Sequence, residues 1–130
     1  MAEASARWWR RRRDPAVPPI GPEGAVEVAA ATDVPDRPPF LAATVGGHDV
    51  LVARLDGRLV AFDAACPHLG QPLRKARPQP DGTLECRHHH HAYDLNDGRC
   101  VRPGAALDEP LTLHEVGEHD GRVWVRPVRP

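Results

Sequence analysis

Apolar and polar residues alternate at period two over several short windows of this chain. No window of useful length repeats its apolar positions at helical spacing. Ala25–Ala30 carries Val26 and Val28 in alternation, and Phe40–Val45, His48–Arg54 and Arg58–Asp63 follow as three further predicted strands. Gly46-Gly47 and Asp56-Gly57 separate them, and such pairs place a two-residue hairpin turn where both central residues need positive φ. Asp33-Val34-Pro35-Asp36-Arg37-Pro38-Pro39 is a loop by composition. Near the end, Leu111–Val116 and Arg122–Val128 flank a turn at Glu118-His119-Asp120-Gly121. The pattern predicts an all-β domain, a meander of short antiparallel strands with one large insertion from about Ala64 to Gly104, and it contains no internal repeat.

Composition sharpens this picture at the N-terminus. The chain has 130 residues, enough for one domain with a modest core, and 15 of them are proline, which favours loops and edge strands over helix. Net charge is −1, which does not indicate nucleic acid or an anionic membrane as a partner of the whole surface. The charge is uneven, because Arg7, Arg10, Arg11, Arg12 and Arg13 lie within the first 13 residues. Residues 1–23 read as a disordered basic and Pro-rich tail, with Trp8 and Trp9 making residues 7–13 a candidate docking arm for an acidic partner or surface. The arginine run superficially resembles a twin-arginine leader, but Asp14-Pro15-Ala16-Val17-Pro18-Pro19 supplies no apolar segment behind it. No stretch approaches the roughly 18 apolar residues of a membrane span. With three cysteines and no disulfide framework, a reducing, cytoplasmic location is expected.

The chemistry concentrates in the predicted insertion. Cys66-Pro67-His68 and Cys86-Arg87-His88-His89 form a CxH…CxxH pair in which each short segment offers one thiolate and one imidazole. Two sulfur and two nitrogen donors suit a [2Fe-2S] cluster with both thiolates on one iron and both imidazoles on the other. The same donor set also describes a structural Cys2His2 zinc site.

The flanking residues favour iron. Cys66-Pro67-His68-Leu69-Gly70-Gln71-Pro72-Leu73 resembles the first cluster loop of Rieske-type [2Fe-2S] proteins, and Cys86-Arg87-His88-His89-His90-His91-Ala92-Tyr93-Asp94 resembles the second. Gly98 falls where that family has a turn glycine, and the resemblance spans about residues 24–128. It implies a Rieske-type antiparallel β-sandwich over residues 24–130, with an inserted cluster-binding subdomain at about 64–104. It further implies one [2Fe-2S] cluster held by Cys66, His68, Cys86 and His89, with Tyr93 contacting a cluster sulfur. Two thiolates in place of four leave the oxidised cluster neutral and more easily reduced, within about −150 to +300 mV. Respiratory members join their loops by a disulfide; Gln71 and His88 occupy those positions here, and His91 stands in place of a hydrogen-bonding Ser. A low-to-intermediate potential is therefore expected. The residue after the second His ligand is usually Gly; here it is His90, which would cost about 1 kcal/mol if that position needs positive φ.

Other residues receive plainer readings. Cys100 is expected to be an ordinary strand thiol, and His88, His90 and His91 to lie on the surface around the cluster. Trp124 is expected in the core, and Arg74, Lys75 and Arg77 on a solvated loop. His114, Glu115 and His119 compose the residue types of a mononuclear iron site, but a strand followed by a turn would separate them. The leading functional expectation is a stand-alone Rieske-type ferredoxin, an electron-transfer component without its own substrate site. It would carry one electron at a time from a flavin-dependent reductase to a terminal oxygenase or other acceptor. Because Pro130 comes soon after the last predicted strand, no oxygenase domain is expected. The alternatives are an accessory subunit of a larger redox enzyme and a structural zinc or redox-sensing module.

Overall fold

The computed structural model describes residues 24–67, 70–87, 90–102 and 109–128; the tail expectation for residues 1–23 lies outside them. Ten strands follow one another: β1 (Val26–Ala30), β2 (Leu41–Val45), β3 (His48–Leu55), β4 (Arg58–Asp63), β5 (Arg77–Pro78), β6 (Thr83–Glu85), β7 (Ala92–Asp94), β8 (Cys100–Arg102), β9 (Leu113–His119) and β10 (Arg122–Arg126). A single 3-10 turn at Ala31–Asp33 is the only helical segment among the described residues.

The larger sheet has the order β1-β10-β9-β4-β3-β2, and all its pairings are antiparallel. Strand β9 joins its two halves: Leu113 and His114 pair with β4, whereas Glu115 to His119 pair with β10. The halves close on each other as a sandwich around Val45, Val50, Val52, Ala61, Val116, Val123 and Val125. The hairpin turns adopt the predicted conformation, with positive φ at both residues of Gly46-Gly47, Asp56-Gly57 and Asp120-Gly121.

Strand β3 explains how the second sheet attaches. Val50, Leu51, Val52 and Ala53 are all buried, so both faces of this strand are covered. Val50 and Val52 point into the sandwich, and Leu51 and Ala53 point the other way. On that outer face they meet Phe40, Val60 and Phe62 of the sandwich and Leu73, Leu84, Tyr93 and Leu95 of the segment that follows β4. Phe40 and Phe62 stack edge to face with ring centroids 5.8 Å apart. A fully buried Leu or Phe contributes about 1.5–3 kcal/mol, so this second core fixes the smaller sheet firmly on the larger one. The smaller sheet has the order β5-β6-β7-β8.

Several elements differ from the sequence pattern. Strand β9 begins at Leu113, because the backbone N–H of Leu111 is taken by the carbonyl of Gly98 at 2.7 Å and does not join the ladder. Trp124 is half-buried rather than in the core; period two turns Val123 and Val125 inward and sends Trp124 to the opposite face. No helix among the described residues is long and apolar enough to cross a membrane.

Candidate metal centre

Two loops with one backbone plan carry the cysteines. In the first, Cys66 N–H donates to the carbonyl of Gln71 at 2.7 Å, and Gly70 N–H donates back to the carbonyl of Cys66 at 2.7 Å. In the second, Cys86 N–H donates to His91 at 2.7 Å, and His90 N–H donates to the carbonyl of Cys86 at 2.9 Å. The offsets from cysteine to partner are the same in both loops. Each loop also closes through an antiparallel contact, Ala65 with Pro72 in one and Glu85 with Ala92 in the other. The equivalent fourth positions are Gly70, with φ 72°, and His90, with φ 60°. The left-handed conformation at His90 is the one a glycine adopts freely, so this departure from glycine is strained.

Both cysteines are buried, at 1% and 0% exposure, and neither is in a disulfide. Strand β7 sets Tyr93 between Leu84 and Cys100 on its neighbouring strands, and its hydroxyl lies 3.2 Å from Cys66 Sγ. Burial, and then the bond to Cys66, pushes the Tyr93 hydroxyl well above the usual phenol range. Tyr93 therefore keeps its proton, and its hydroxyl is placed to donate a hydrogen bond to Cys66 Sγ when that sulfur binds a metal. Two unoxidised thiols on equivalent loops, with a hydroxyl donor aimed at one sulfur, fit a metal–sulfur centre in a dry setting.

Of the ligands expected from sequence, Cys66 and Cys86 are brought to this common end of the molecule; His68 and His89 lie outside the described residues, as does His88. His90 is exposed, with Nδ1 at 3.9 Å from Glu85 Oε2. His91 is buried instead of exposed, because its carbonyl closes the second loop and turns its residue inward. Cys100 is a buried strand residue in the same core as the other two cysteines.

His114, Glu115 and His119 do not converge. All three lie on β9, with Glu115 paired to Arg126 and His119 to Asp120. His114, whose side chain is fully buried, places Nε2 2.7 Å from Asp63 Oδ1, while the N–H of Val128 donates to its Nδ1 at 3.1 Å. Since Nδ1 accepts, Nε2 carries the proton and donates it to Asp63. This link, buried on the His114 side and partly exposed at Asp63, ties β9 and Val128 to the foot of the first cysteine loop. The strand pattern gave no sign of it, because His114 reads as one more polar residue in alternation.

Residues 24–110 match the Rieske [2Fe-2S] domain family. The chain belongs to that family. Its cofactor is a single Rieske-type [2Fe-2S] cluster, and the paired cysteine loops described above are compatible with it. The chain is 34% identical over 81 residues to the ferredoxin component of the alkene monooxygenase system of Xanthobacter autotrophicus (strain ATCC BAA-1158 / Py2), covering 62% of this chain and 64% of that protein. It is 30% identical over 92 residues to a cholesterol 7-desaturase of Hemicentrotus pulcherrimus, covering 71% of this chain and 20% of that protein. The chain thus spans less than two thirds of either relative. Among solved structures, the ferredoxin of carbazole 1,9a-dioxygenase from Nocardioides aromaticivorans IC177 superposes with a TM-score of 0.70 at 22% identity, over 82% of this chain and 100% of that one. That likeness establishes the Rieske ferredoxin fold.

Proposed function

We propose that this chain is a one-electron carrier that takes electrons from a reductase, of flavin-dependent type, and delivers them to a terminal oxygenase or another redox enzyme. The observation that carries this reading is the pair of equivalent loops presenting buried Cys66 and Cys86, with Tyr93 bonded to the first sulfur. The likeness to the alkene monooxygenase ferredoxin component supports it.

In this reading Cys66, His68, Cys86 and His89 hold the cluster, residues 24–130 form the Rieske domain, and residues 64–104 form the part that binds the cluster. When bound, the cluster supplies a reversible one-electron couple. The rest is done by the chain. Burial of both cysteines keeps water from the thiolates. The Tyr93 hydroxyl donates to Cys66 Sγ, which favours the more negatively charged reduced state and raises the potential. The backbone bonds across each loop hold the sulfurs in place without a disulfide. The cytoplasm suits such a carrier, since its thiols must stay reduced until metal arrives.

Low-temperature EPR of anaerobically purified protein, before and after dithionite, tests this reading. A silent oxidised sample that gains a rhombic signal, with average g below that of four-Cys ferredoxins, is the expected result. Loss of that signal in Cys86→Ser and in His89→Ala, with folding retained, is expected for the ligand set. Stoichiometric zinc without a reducible signal would overturn it.

A further inference from the structure

Charge is distributed unevenly over the described residues. In the larger sheet Arg54 faces Glu118, Arg122 faces Glu27 and Arg126 faces Glu115. Arg58 shares a cleft with Asp36 and Asp56 at the β3–β4 turn, the end of β4 remote from Cys66. These cations are locally balanced.

The cysteine end is different. Arg74, Lys75, Arg77 and Arg87 are all exposed there. Leu73 N–H bonds to the carbonyl of Ala64 at 2.8 Å, which fixes the Arg74-Lys75 step beside the strand entering Cys66. Arg77 lies across from Glu85 on β6, the residue before Cys86, and Arg87 follows Cys86 directly. Arg74 donates its Nε to the carbonyl of Phe40 at 3.0 Å and shares a cleft with Asp49, so its charge is partly balanced. Lys75, Arg77 and Arg87 have no carboxylate within ion-pair distance among the described residues. Of the carboxylates at this end, Glu85 is only 19% exposed and turns toward His90, and Asp63 is engaged by His114 at 2.7 Å.

We propose that this end of the molecule is a basic docking face for a carboxylate-rich surface on the redox partner. The inference rests on the reading that Cys66 and Cys86 hold the cluster. Three exposed cations without an ion-pair partner among the described residues, Lys75, Arg77 and Arg87, create a positive local field beside the two cysteines although the chain as a whole carries −1. Such a field steers an acidic surface toward the site from which the electron leaves, and it acts on association rate more than on final affinity. The patch is confined to this end. It therefore suits a compact protein footprint and not the long stripe of contacts a nucleic-acid duplex demands. Arg77, read from sequence as a loop cation, takes on a role as a docking residue through the β5–β6 pairing, which sets it opposite Glu85 and next to Cys86, while Arg87 flanks Cys86 along the chain.

The test uses small redox probes whose charge is known. The dithionite-reduced holoprotein is mixed in stopped flow with the cobalt(III)–EDTA anion or the hexaamminecobalt(III) cation. Ionic strength is raised from about 0.01 M to about 1 M, which shortens the screening length from ~30 to ~3 Å. The expected result is that oxidation by the anion slows at least about threefold with salt while oxidation by the cation quickens. The doubly reversed variant Arg77→Glu with Arg87→Glu should invert both trends. Arg54→Glu, in the larger sheet, should leave their direction unchanged. If the doubly reversed protein fails to take up its cluster, Arg77→Gln with Arg87→Gln should flatten the same trends. An anion that reacts faster as salt rises, as the net charge alone would dictate, overturns the docking face while an intact reduced-state EPR signal leaves the cluster reading standing. Trends unmoved by the charge variants overturn it likewise. A chain with no reduced-state signal overturns the cluster reading and the docking face together.

Discussion

The Tyr93 hydroxyl lies 3.2 Å from Cys66 Sγ, joining two residues 27 positions apart in the chain. The contact is deeply buried, with Tyr93 at 0% exposure and Cys66 at 1%. A hydrogen bond to a thiolate strengthens as negative charge builds on the sulfur, so it favours the reduced centre.

Replacing the hydroxyl should therefore make reduction harder. Tyr93→Phe is expected to lower the reduction potential by on the order of 50 mV, nearly a tenfold change in the one-electron equilibrium. The ring still fills its place in the core, so iron content should stay the same. Voltammetry with parallel iron analysis checks this, and an unchanged potential would remove Tyr93 from the tuning of the cluster.

His90 offers a prediction of opposite sense. Its φ of 60° is the conformation that glycine adopts without penalty. The facing Glu85 compensates little, since the pair is separated by 3.9 Å and His90 is 68% exposed. His90→Gly is expected to raise stability by about 0.5 kcal/mol or less, the left-handed penalty less the extra entropy of glycine. Thermal loss of the cluster's visible absorption should move upward, with the EPR line shape unchanged. A lower melting temperature would mean that the imidazole contributes more than its backbone strain costs.

Much of the fold was legible because it rests on local rules. Arg58–Asp63 appears in the structure with the bounds its alternation predicts, and Asp56-Gly57 turns as such pairs do. The two cysteines were legible as a motif before any geometry, because spacing and flanks together are specific. Strands β5 to β8 were not. They run two or three residues each, too short for a period to register, and they exist because β6 and β7 carry Leu84 and Tyr93 onto Leu51 and Phe62. The burial of His114 escaped the pattern for a related reason, and that of His91 because its carbonyl closes the second cysteine loop. A polar residue is placed inside by a partner distant in sequence, as His114 is by Asp63, 51 positions away.

The His114–Asp63 link predicts a graded loss of stability. His114→Ala would leave an unpaired Asp63 carboxylate, an unpaired Val128 N–H and a cavity, and should cost about 2–4 kcal/mol. Asp63→Asn keeps an oxygen that can accept from Nε2 and should cost about 1 kcal/mol, the difference between a charged and a neutral acceptor. Chemical denaturation of the two variants compares them directly. Equal losses would show that the charge on Asp63, not the oxygen it presents, holds the histidine.

Gly98 joins the second cysteine hairpin to the larger sheet and tolerates nothing larger. Its N–H donates to the carbonyl of Asp94 at 2.6 Å, its carbonyl accepts from Leu111 N–H at 2.7 Å, and its φ is +82°. A Cβ added there would stand 2.0 Å from the carbonyl oxygen of Leu111, a backbone atom that cannot rotate away. Gly98→Ala must either separate Leu111 from the β7–β8 turn or distort that turn, and β7 carries Tyr93. Stability should therefore fall by about 3 kcal/mol or more, and the potential should shift in the same direction as in Tyr93→Phe. The two effects separate the possible outcomes. A large loss of stability with an unchanged potential would mean that the sheets part at Leu111 while β7 keeps Tyr93 against Cys66. A shift in both would mean that the turn itself gives way and carries the tyrosine with it.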